Sequence, residues 1–241
     1  MFELSFTLIA FLTSMLTAII GLGGGLLLIA LMPGFIPAAV IIPIHSVVQL
    51  ASNASRAAFA WHTIRWEYFC AFAIGSVVGG LIAVQFIKLI DIEYISLFIG
   101  LFILMNVWTP QVFEWLGKLK GELFTIGVLQ TGLGMIGGAT GPLGQVSLMR
   151  RNLNKDEIVT TTALFMSFTH ITKLAAFAIL GVNIMIWWKL MLGMVLGVVL
   201  GSWAGTHVRT KVNDKIFKQV LSILLSVLAV RMIYIILFAN S

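Results

Sequence analysis

The sequence predicts an all-α polytopic membrane protein with about eight transmembrane segments in two homologous four-helix repeats, whose first helices are broken by glycines. Three observations support this fold class. Of the 241 residues, 60% are hydrophobic and 10% are charged, whereas about 25% of a soluble domain is charged. Apolar stretches of about 20 residues, long enough to cross a bilayer, follow one another with short polar connections. Small-residue patterns also recur in both halves of the chain.

Eight apolar runs are predicted as membrane segments. They cover residues 4–32, 38–61, 67–89, 93–109, 123–149, 158–181, 184–206 and 216–238. Residues 111–122 alternate charged with large apolar side chains and predict an interfacial connector. We therefore divide the chain into a first membrane repeat (1–110), the connector (111–122) and a second membrane repeat (123–241).

The two halves match at ordered positions. Gly75 falls on Gly197 at an offset of 122 residues, and Gly79 falls on Gly201 at the same offset. Weak internal symmetry of this kind is typical of transporter folds built by duplication. The four-residue glycine spacing also favours close packing of the third and seventh segments against neighbouring helices. The alternative is that small-residue membrane helices resemble one another without duplication.

Two glycine-rich stretches interrupt the first helix of each repeat. They are Gly21-Leu22-Gly23-Gly24-Gly25 and Gly134-Met135-Ile136-Gly137-Gly138-Ala139-Thr140-Gly141-Pro142. Each glycine disfavours a helix by about 0.8–1.0 kcal/mol relative to alanine. Non-helical backbone at membrane depth persists only where protein buries it or a wet cavity touches it. We expect the two breaks to form one central site, with close helix packing as the alternative.

Basic residues in the loops predict the orientation. With eight spans, the odd-numbered loops hold Lys88, Arg150, Arg151, Lys155, Arg209, Lys211, Lys215 and Lys218. The even-numbered loops hold Arg65, Lys118, Lys120 and Lys189, together with Arg56 if it lies outside the apolar core. The basic excess places the odd loops in the cytoplasm and both termini outside. Repeats of four spans would be parallel, whereas a re-entrant segment at each glycine break would make them inverted.

Charged residues inside membrane segments are costly, so they are functional candidates. Arg56 in the second segment and Lys173 in the sixth each follow a stripe of neutral polar residues. A cation beside each glycine break favours a small anion, because N–H groups at helix N-termini also bind anions. The alternative is that either side chain snorkels to the membrane interface. The predicted substrate-binding residues are Gly23, Gly24, Gly25, Gln49, Asn53, Arg56, Gly137, Gly138, Thr140, Gln145, Thr169, His170 and Lys173.

The composition argues against several other functions. The single cysteine, Cys70, excludes an internal disulfide and a CxxC pair. The four histidines, His45, His62, His170 and His207, lack metal-ligand spacing, so we predict no metal and no cofactor. Membrane-embedded His45 and His170 either form structural hydrogen bonds, orient a ligand or relay a proton.

Neither an enzyme nor a nucleic-acid-binding protein is expected. The chain has no GxSxG or HExxH pattern, and no acidic pair lies in an apolar core, so general acid–base catalysis has few groups to use. The formal charge of +6 is scattered over loops between apolar runs, as membrane topology requires. We therefore expect no nucleic-acid partner.

A series of local features points to a known family. In chain order these are the glycine break at 21–25 followed by Pro33, the His62…Arg65-Trp66 turn, the second glycine break with Pro142, and Lys173 followed by Gly181. Together they resemble the TauE/SafE family of sulfite and sulfonate exporters, also called the toluenesulfonate uptake permeases. The second break departs from the family, which often has three glycines where this chain has Gly137-Gly138-Ala139. The resemblance implies a multi-span inner-membrane carrier of small sulfur-containing or other organic anions, with no cofactor.

We expect a secondary transporter, in the direction of export, for a small sulfur-containing anion such as sulfite or an organosulfonate. It would work by alternating access in the cell inner membrane. Its partners would be the anion and the lipid bilayer, and a coupling proton is left open, as is the oligomeric state. The alternatives are an anion channel or a carrier for another organic anion such as a carboxylate. A membrane assembly factor or enzyme would need reactive groups that the sequence lacks.

Overall fold

The computed structural model describes residues 2–20, 23–116, 122–140, 142–208 and 214–239, and the described chain is helical without a β-strand. The helices are α1 (Phe2–Ile20), α2 (Gly24–Leu31), α3 (Ala38–Phe59), α4 (Phe69–Ile87), α5 (Ile95–Trp108), α6 (Pro110–Leu116), α7 (Glu122–Gly137), α8 (Pro142–Met149), α9 (Lys155–Ile179), α10 (Trp188–Val208) and α11 (Asp214–Tyr234). A π-helical turn, Ile235–Ala239, follows α11.

Six helices among the described residues are long and apolar enough to cross a membrane, namely α1, α3, α4, α9, α10 and α11. A seventh span results if α5 and α6 are counted together, although they are bent by 86°. Helix α7 is apolar but has 16 residues, fewer than the roughly 20 that a full crossing needs. The all-helical polytopic fold is therefore confirmed, whereas eight full-length spans are not.

The predicted connector coincides in part with α6. This helix begins at Pro110 and turns sharply away from α5, as expected of a segment that leaves the apolar core. Residues 117–121 lie outside the described part of the chain. The boundaries of the two predicted repeats and of the connector stay predictions.

The exterior is apolar, and the interior combines an apolar core with buried polar groups. Large apolar side chains such as Leu4, Ile74 and Leu200 are exposed, while Gln130 and Ser202 are fully buried. In a soluble protein the polar groups would lie mainly outside. An apolar surface with polar groups kept inside suits a bundle that faces lipid.

The first glycine break reverses the chain. A Cβ atom at Gly24 would overlap the backbone of Thr13, so α2 starts beside the middle of α1. After α2, the ring of Phe35 lies 5.9 Å from the ring of Phe6, near the start of α1. Helix α2 has eight residues and so covers about 12 Å. Residues 21 and 22 lie outside the described chain. Helices α1 and α2 therefore form a hairpin, and its second arm, α2, starts halfway along α1.

The second glycine break has the same geometry. The backbone N–H of Gly144 in α8 donates to Oε1 of Gln130, which lies midway along α7 (2.9 Å). Farther along α8, the hydroxyl of Ser147 donates to Glu122 at the start of α7 (2.7 Å). Gly141 lies outside the described residues. The predicted broken helices are therefore two helical hairpins, each with a long arm and a half-length return arm.

The glycine strip of α10 packs on α1. A Cβ atom at Gly197 would overlap the backbone of Thr7, and one at Gly205 would overlap the backbone of Met15. Because contact positions advance together along both helices, α10 and α1 run parallel. The close approach confirms the packing role predicted from the four-residue glycine spacing.

The glycine strip of α4 packs on α7 in the same way. Gly75 faces the backbone of Phe124, and Gly79 faces the backbone of Val128. Helices α4 and α7 are therefore parallel. Each glycine strip thus joins a long helix of one half to the hairpin arm of the other half, which is the arrangement that a duplicated architecture predicts.

The two hairpins enter the bundle from opposite faces. Helix α1 starts at a face that also holds Phe35, Lys88 and Val182, here called the terminal face. Helix α3 leads from the terminal face to the opposite one, which holds Arg65 and Arg151 and is here called the basic face, and α4 returns. Since α7 runs parallel to α4, it runs against α1. The helix order of the two halves is therefore inverted, as a re-entrant segment at each break predicts.

The eight-span grouping of basic loops was wrong. It placed Lys88 with Arg151 and set Arg65 apart, but Lys88 lies on the terminal face. Arg65 lies on the basic face, where its Nη2 is 2.8 Å from Oε1 of Glu157 at the start of α9. The start of α9 itself was predicted correctly, because Asn154 and Glu157 form a capping box.

Candidate functional site

Helices α3 and α9 cross antiparallel at the centre of the bundle. At the crossing the imidazole ring of His45 meets that of His170, with ring centroids 6.0 Å apart and planes at 71°. His45 is 0% exposed and His170 is 1% exposed. Each of these helices follows one of the hairpins, so each half of the chain brings one polar helix face to the same place.

A nitrogen donor from each crossing helix binds the hairpin that precedes it. Nε2 of His45 donates to the carbonyl oxygen of Gly25 (2.9 Å). Nζ of Lys173 donates to the carbonyl oxygen of Gly138 (2.7 Å). Both carbonyls belong to the glycine breaks, so the two breaks, His45 and Lys173 form one connected centre.

Lys173 is a buried cation that pairs with no carboxylate among the described residues. Its side chain is 0% exposed, and the carboxylates that pair with Arg65 and Arg151 lie on the basic face, away from Lys173. An ammonium group has three N–H donors, and Gly138 uses one of them. Because a buried charge without a counter-charge is strongly unfavourable, this position favours an anionic ligand.

Gln130 connects the second hairpin to α9. Its Nε2 donates to the hydroxyl of Thr169 (3.1 Å) and lies 3.3 Å from the sulfur of Met166. Its Oε1 accepts from Gly144, and its backbone oxygen accepts from Thr140 (2.6 Å). The predicted site residues Thr140 and Thr169 are therefore held by Gln130. Sequence reasoning missed Gln130, although an amide in the middle of an apolar segment is itself a signal.

A file of polar residues follows α3 from the centre to the basic face. The Gln49 side chain lies against Gly25. Asn53 donates to the backbone oxygen of Gln49 (2.8 Å), and Arg56 Nη1 donates to Oδ1 of Asn53 (3.2 Å). Arg56 borders a cavity of about 360 Å³ on the basic face, which Trp203 also lines. The spacing predicted for one helix face is confirmed.

Arg56 and Lys173 do not meet at one ligand. Arg56 lines the basic-face cavity together with Thr160 of α9. Lys173 follows Thr160 by thirteen residues, which is about 20 Å along a helix. The expectation that both cations surround one anion is therefore corrected: Arg56 lies at an entrance and Lys173 at the centre.

The predicted glycines divide into two groups. Side chains at Gly23, Gly24 and Gly137 would overlap α11, α1 and α5 respectively, so these three permit close packing. Gly25 and Gly138 instead present their carbonyl oxygens to the centre. Gly138 also has φ of +79°, a conformation that glycine adopts readily and other residues rarely do.

Several buried polar atoms near the centre have no hydrogen-bond partner among the described residues. They are Nδ1 of His45, both ring nitrogens of His170 and Oε1 of Gln145. Most buried polar groups in proteins are paired, so unpaired groups call for an explanation such as a ligand. The sequence left open whether His45 is structural or functional. Its hydrogen bond to the carbonyl oxygen of Gly25 places it at the centre.

The family comparison agrees with this geometry. The family model described as sulfite exporter TauE/SafE matches residues 6–232. The chain belongs to the TauE/SafE sulfite exporter family. Comparison with curated proteins gives no match, and comparison with solved structures gives none either. Membership in a transporter family, together with the apolar helices, identifies an integral multi-pass membrane protein of sulfur-anion transport.

The TauE/SafE features quoted from the sequence have definite places in the structure. Arg65 of the His62…Arg65-Trp66 turn joins the connection between α3 and α4 to the start of α9 through Glu157. Its backbone N–H also donates to the hydroxyl of Thr161 in α9 (3.0 Å). Gly181 ends α9 with φ of +75°. These features stabilise the helices around the centre, whereas Lys173 belongs to the centre itself.

Proposed function

We propose that the protein carries a small sulfur oxyanion, sulfite or an organosulfonate, across the inner membrane by alternating access, and that the anion binds beside Lys173. The observation that carries this proposal is the fully buried ammonium group of Lys173, which no described carboxylate accompanies. A bound anion supplies the missing counter-charge. Family membership favours sulfur-containing anions as the substrate class.

The two return arms strengthen the attraction for an anion. Helices α2 and α8 both begin at mid-depth, beside Thr13 and Gln130 respectively. A helix N-terminus carries roughly half a positive charge and several N–H groups without intrahelical partners. Pro142 at the first position of α8 is well suited to a helix start. Two such N-termini and Lys173 make the interior positive without any metal ion.

Access to the centre is blocked from both sides in this conformation. On the basic face the cavity beside Arg56 ends above the polar file of α3. On the terminal face a cavity of about 410 Å³ is lined mainly by apolar side chains, including Met135 and Phe177. His45, His170 and Lys173 lie between the two cavities, and each is at most 1% exposed. Inverted repeats allow such a centre to open alternately to either side.

The distribution of basic residues supports a cytoplasmic basic face. Helix ends and loops on this face carry Arg56, Arg65, Arg150, Arg151 and Lys155, against Lys88, Lys189 and Arg231 on the terminal face. The positive-inside rule then places both termini outside the cytoplasm. The Arg56 cavity would receive cytoplasmic anions, which agrees with export.

Counterflow in proteoliposomes tests the proposal. Vesicles loaded with unlabelled sulfite should take up labelled sulfite with saturation, and an organosulfonate in excess should compete. Lys173→Met should abolish counterflow, whereas Lys88→Met, a change at an exposed lysine on the terminal face, should leave it unchanged. Flux that rises linearly with concentration and shows no counterflow would indicate a channel instead. Counterflow of carboxylates without sulfur anions would contradict the proposed substrate class.

A further inference from the structure

We propose that His45 and His170 bind one proton together with the anion, so that the carrier moves the two as a pair. This inference rests on the proposed function. Its basis is a buried histidine pair, with ring centroids 6.0 Å apart, in which three of the four ring nitrogens have no partner among the described residues.

The hydrogen bond of His45 determines what its other nitrogen can do. A carbonyl oxygen only accepts, so Nε2 of His45 carries the hydrogen that it donates to Gly25. In a neutral imidazole, Nδ1 is then a lone-pair acceptor. The oxygens of sulfite and sulfonates are also acceptors. Contact between the two would be repulsive unless a proton lies between them.

One proton therefore accompanies the anion, whether His45 or the anion holds it. If it resides on Nδ1, His45 is an imidazolium ion that donates to an anion oxygen. If it resides on the anion, a hydroxyl group donates to the neutral ring. Both descriptions contain the same atoms and the same total charge, and in both the buried lone pair gains a partner.

His170 places the histidine pair next to Lys173. It precedes Lys173 by three residues on α9, so the two side chains lie on neighbouring parts of one helix surface. Its ring meets the ring of His45 edge to face, and both of its nitrogens lack described partners. The histidine pair is therefore adjacent to the place where the anion is expected.

The surrounding helices offer few competing proton carriers. Helices α2, α4 and α5 contain no charged residue along their lengths. On α3, α7, α9 and α10 the other titratable groups lie near helix ends, and these are Arg56, Glu122, Lys155, Asp156, Glu157, Lys189 and His207. Lys173 is thus the other ionisable group that faces the pair, and accumulation by the histidine variants distinguishes proton uptake by the rings from proton uptake by its amine.

Paired movement has a measurable consequence. A monoanion and a proton carry no net charge together, so membrane voltage does not drive them. A difference of one pH unit corresponds to about 1.36 kcal/mol, and hence to about tenfold accumulation of the anion on the alkaline side. Net export of the pair requires a cytoplasmic excess of the anion that is larger than the opposing proton gradient, about tenfold for one pH unit.

Accumulation in voltage-clamped proteoliposomes tests the pairing. The interior is set one pH unit more alkaline than the exterior, and methanesulfonate and sulfite are the probes. Methanesulfonate stays a fully ionised strong-acid anion near neutral pH, so any proton that moves with it must be carried by the protein. Wild-type protein should accumulate methanesulfonate about tenfold. In His45→Gln and His170→Gln the accumulation ratio should fall to about one at whatever rate of counterflow remains, whereas His62→Gln, at an exposed position on the basic face, should accumulate like wild type.

The outcomes separate this inference from the proposed function. Counterflow without pH-driven accumulation by the wild type would overturn proton pairing and leave the carrier proposal standing. Absence of counterflow for both probes would overturn both. Undiminished accumulation in both histidine variants would remove the proton from these residues. Thermal unfolding in detergent identifies a variant that fails to fold. In that case the remaining histidine variant is compared with the wild type, and its accumulation ratio decides the test.

Discussion

Nζ of Lys173 donates a hydrogen bond to the carbonyl oxygen of Gly138, 2.7 Å away. The bond joins α9 to the turn of the hairpin that α7 and α8 form. Because Gly138 has a left-handed backbone conformation, its carbonyl is directed by a geometry that few other residues adopt. The buried charge and the shape of the hairpin are therefore linked, and each can be altered separately.

Replacing Lys173 by methionine should separate binding from stability. Methionine keeps much of the length and removes the buried charge, so we expect an unchanged or higher unfolding temperature, since the uncompensated charge is lost. Loss of a hydrogen bond to a charged group costs about 1.5–3 kcal/mol, which corresponds to roughly 10- to 150-fold weaker anion binding. Anion-dependent thermal shifts in detergent measure both effects.

Lys88→Met is the matched control for this prediction. Lys88 is exposed on the terminal face, so the anion-dependent thermal shift should remain. An equal loss in both variants would mean that overall charge, rather than the buried ammonium group, determines binding.

Gly138→Ala should destabilise the protein through strain and overlap. A non-glycine residue in the left-handed region costs about 1–2 kcal/mol, and the new Cβ would also meet Cδ1 of Ile29. Gly181 has a similar φ of +75° but nothing within 4 Å of a new Cβ, so Gly181→Ala should show the strain alone. Adding Ile29→Val, which removes Cδ1, should recover part of the Gly138→Ala effect. Equal unfolding temperatures for both single variants would contradict the overlap.

Gly79→Ala should disrupt the contact between α4 and α7. The added methyl group would overlap the backbone of Val128, and overpacking of a close interface typically costs about 1–3 kcal/mol. Gly132 provides a control in the same interface, because a Cβ there would lie 3.6 Å from the oxygen of Gly79, an ordinary contact. Thermal unfolding should therefore fall for Gly79→Ala and stay near wild type for Gly132→Ala. Helix propensity favours alanine over glycine at both positions, so a similar decrease in both variants would contradict the specific overlap with Val128.

Local features of this chain were predictable from sequence, whereas long-range ones were not. The capping box of Asn154 and Glu157 lies within four residues and is confirmed. The glycine stretches predicted breaks, but glycine permits a kink as readily as a reversal. Reversal depends on contacts such as that of Gly24 with Thr13. The inverted order of helices follows from those reversals, so it stayed an open alternative in the sequence.

The predicted binding residues stay predictions, but the structure brings some of them together. The sequence singled out Lys173, which lies at the centre, because charge inside an apolar helix is rare. His45 stayed outside the predicted set because a lone histidine in an apolar helix is more often structural, and its partner Gly25 lies twenty residues earlier. Arg56 was predicted by the same rule. Its depth in the membrane, however, depends on where α3 begins and ends and on its direction, which the sequence does not determine.

Gln130→Leu should destabilise the second hairpin. Gly144 and Thr169 would lose their partner, and a buried polar group without a partner costs about 1–3 kcal/mol. Gln145→Leu is the comparison, because Oε1 of Gln145 has no partner among the described residues, so its loss should be nearly neutral for stability. If Gln145 contacts the anion, as predicted from sequence, the anion-dependent thermal shift should decrease without a lower unfolding temperature. A larger stability loss for Gln145→Leu than for Gln130→Leu would contradict these assignments.

Cysteine labelling should show that His62 and Asp91 lie on opposite sides of the membrane, with Asp91 outside. Cys70, the single cysteine, is first replaced by serine, and His62→Cys and Asp91→Cys are made separately at exposed positions. A membrane-impermeant maleimide applied to spheroplasts should label Asp91→Cys at once and His62→Cys only after permeabilisation.

Eight simple spans with the termini outside would give the reverse, because His62 would then lie in an outer loop and Asp91 in a cytoplasmic one. The hairpin of α1 and α2 removes one crossing before α3, and the positive-inside rule then places the basic face in the cytoplasm. Labelling of His62→Cys in intact spheroplasts would therefore contradict either the re-entrant hairpin or the proposed orientation, and a tag at the N-terminus, accessible from outside in both arrangements, distinguishes the two.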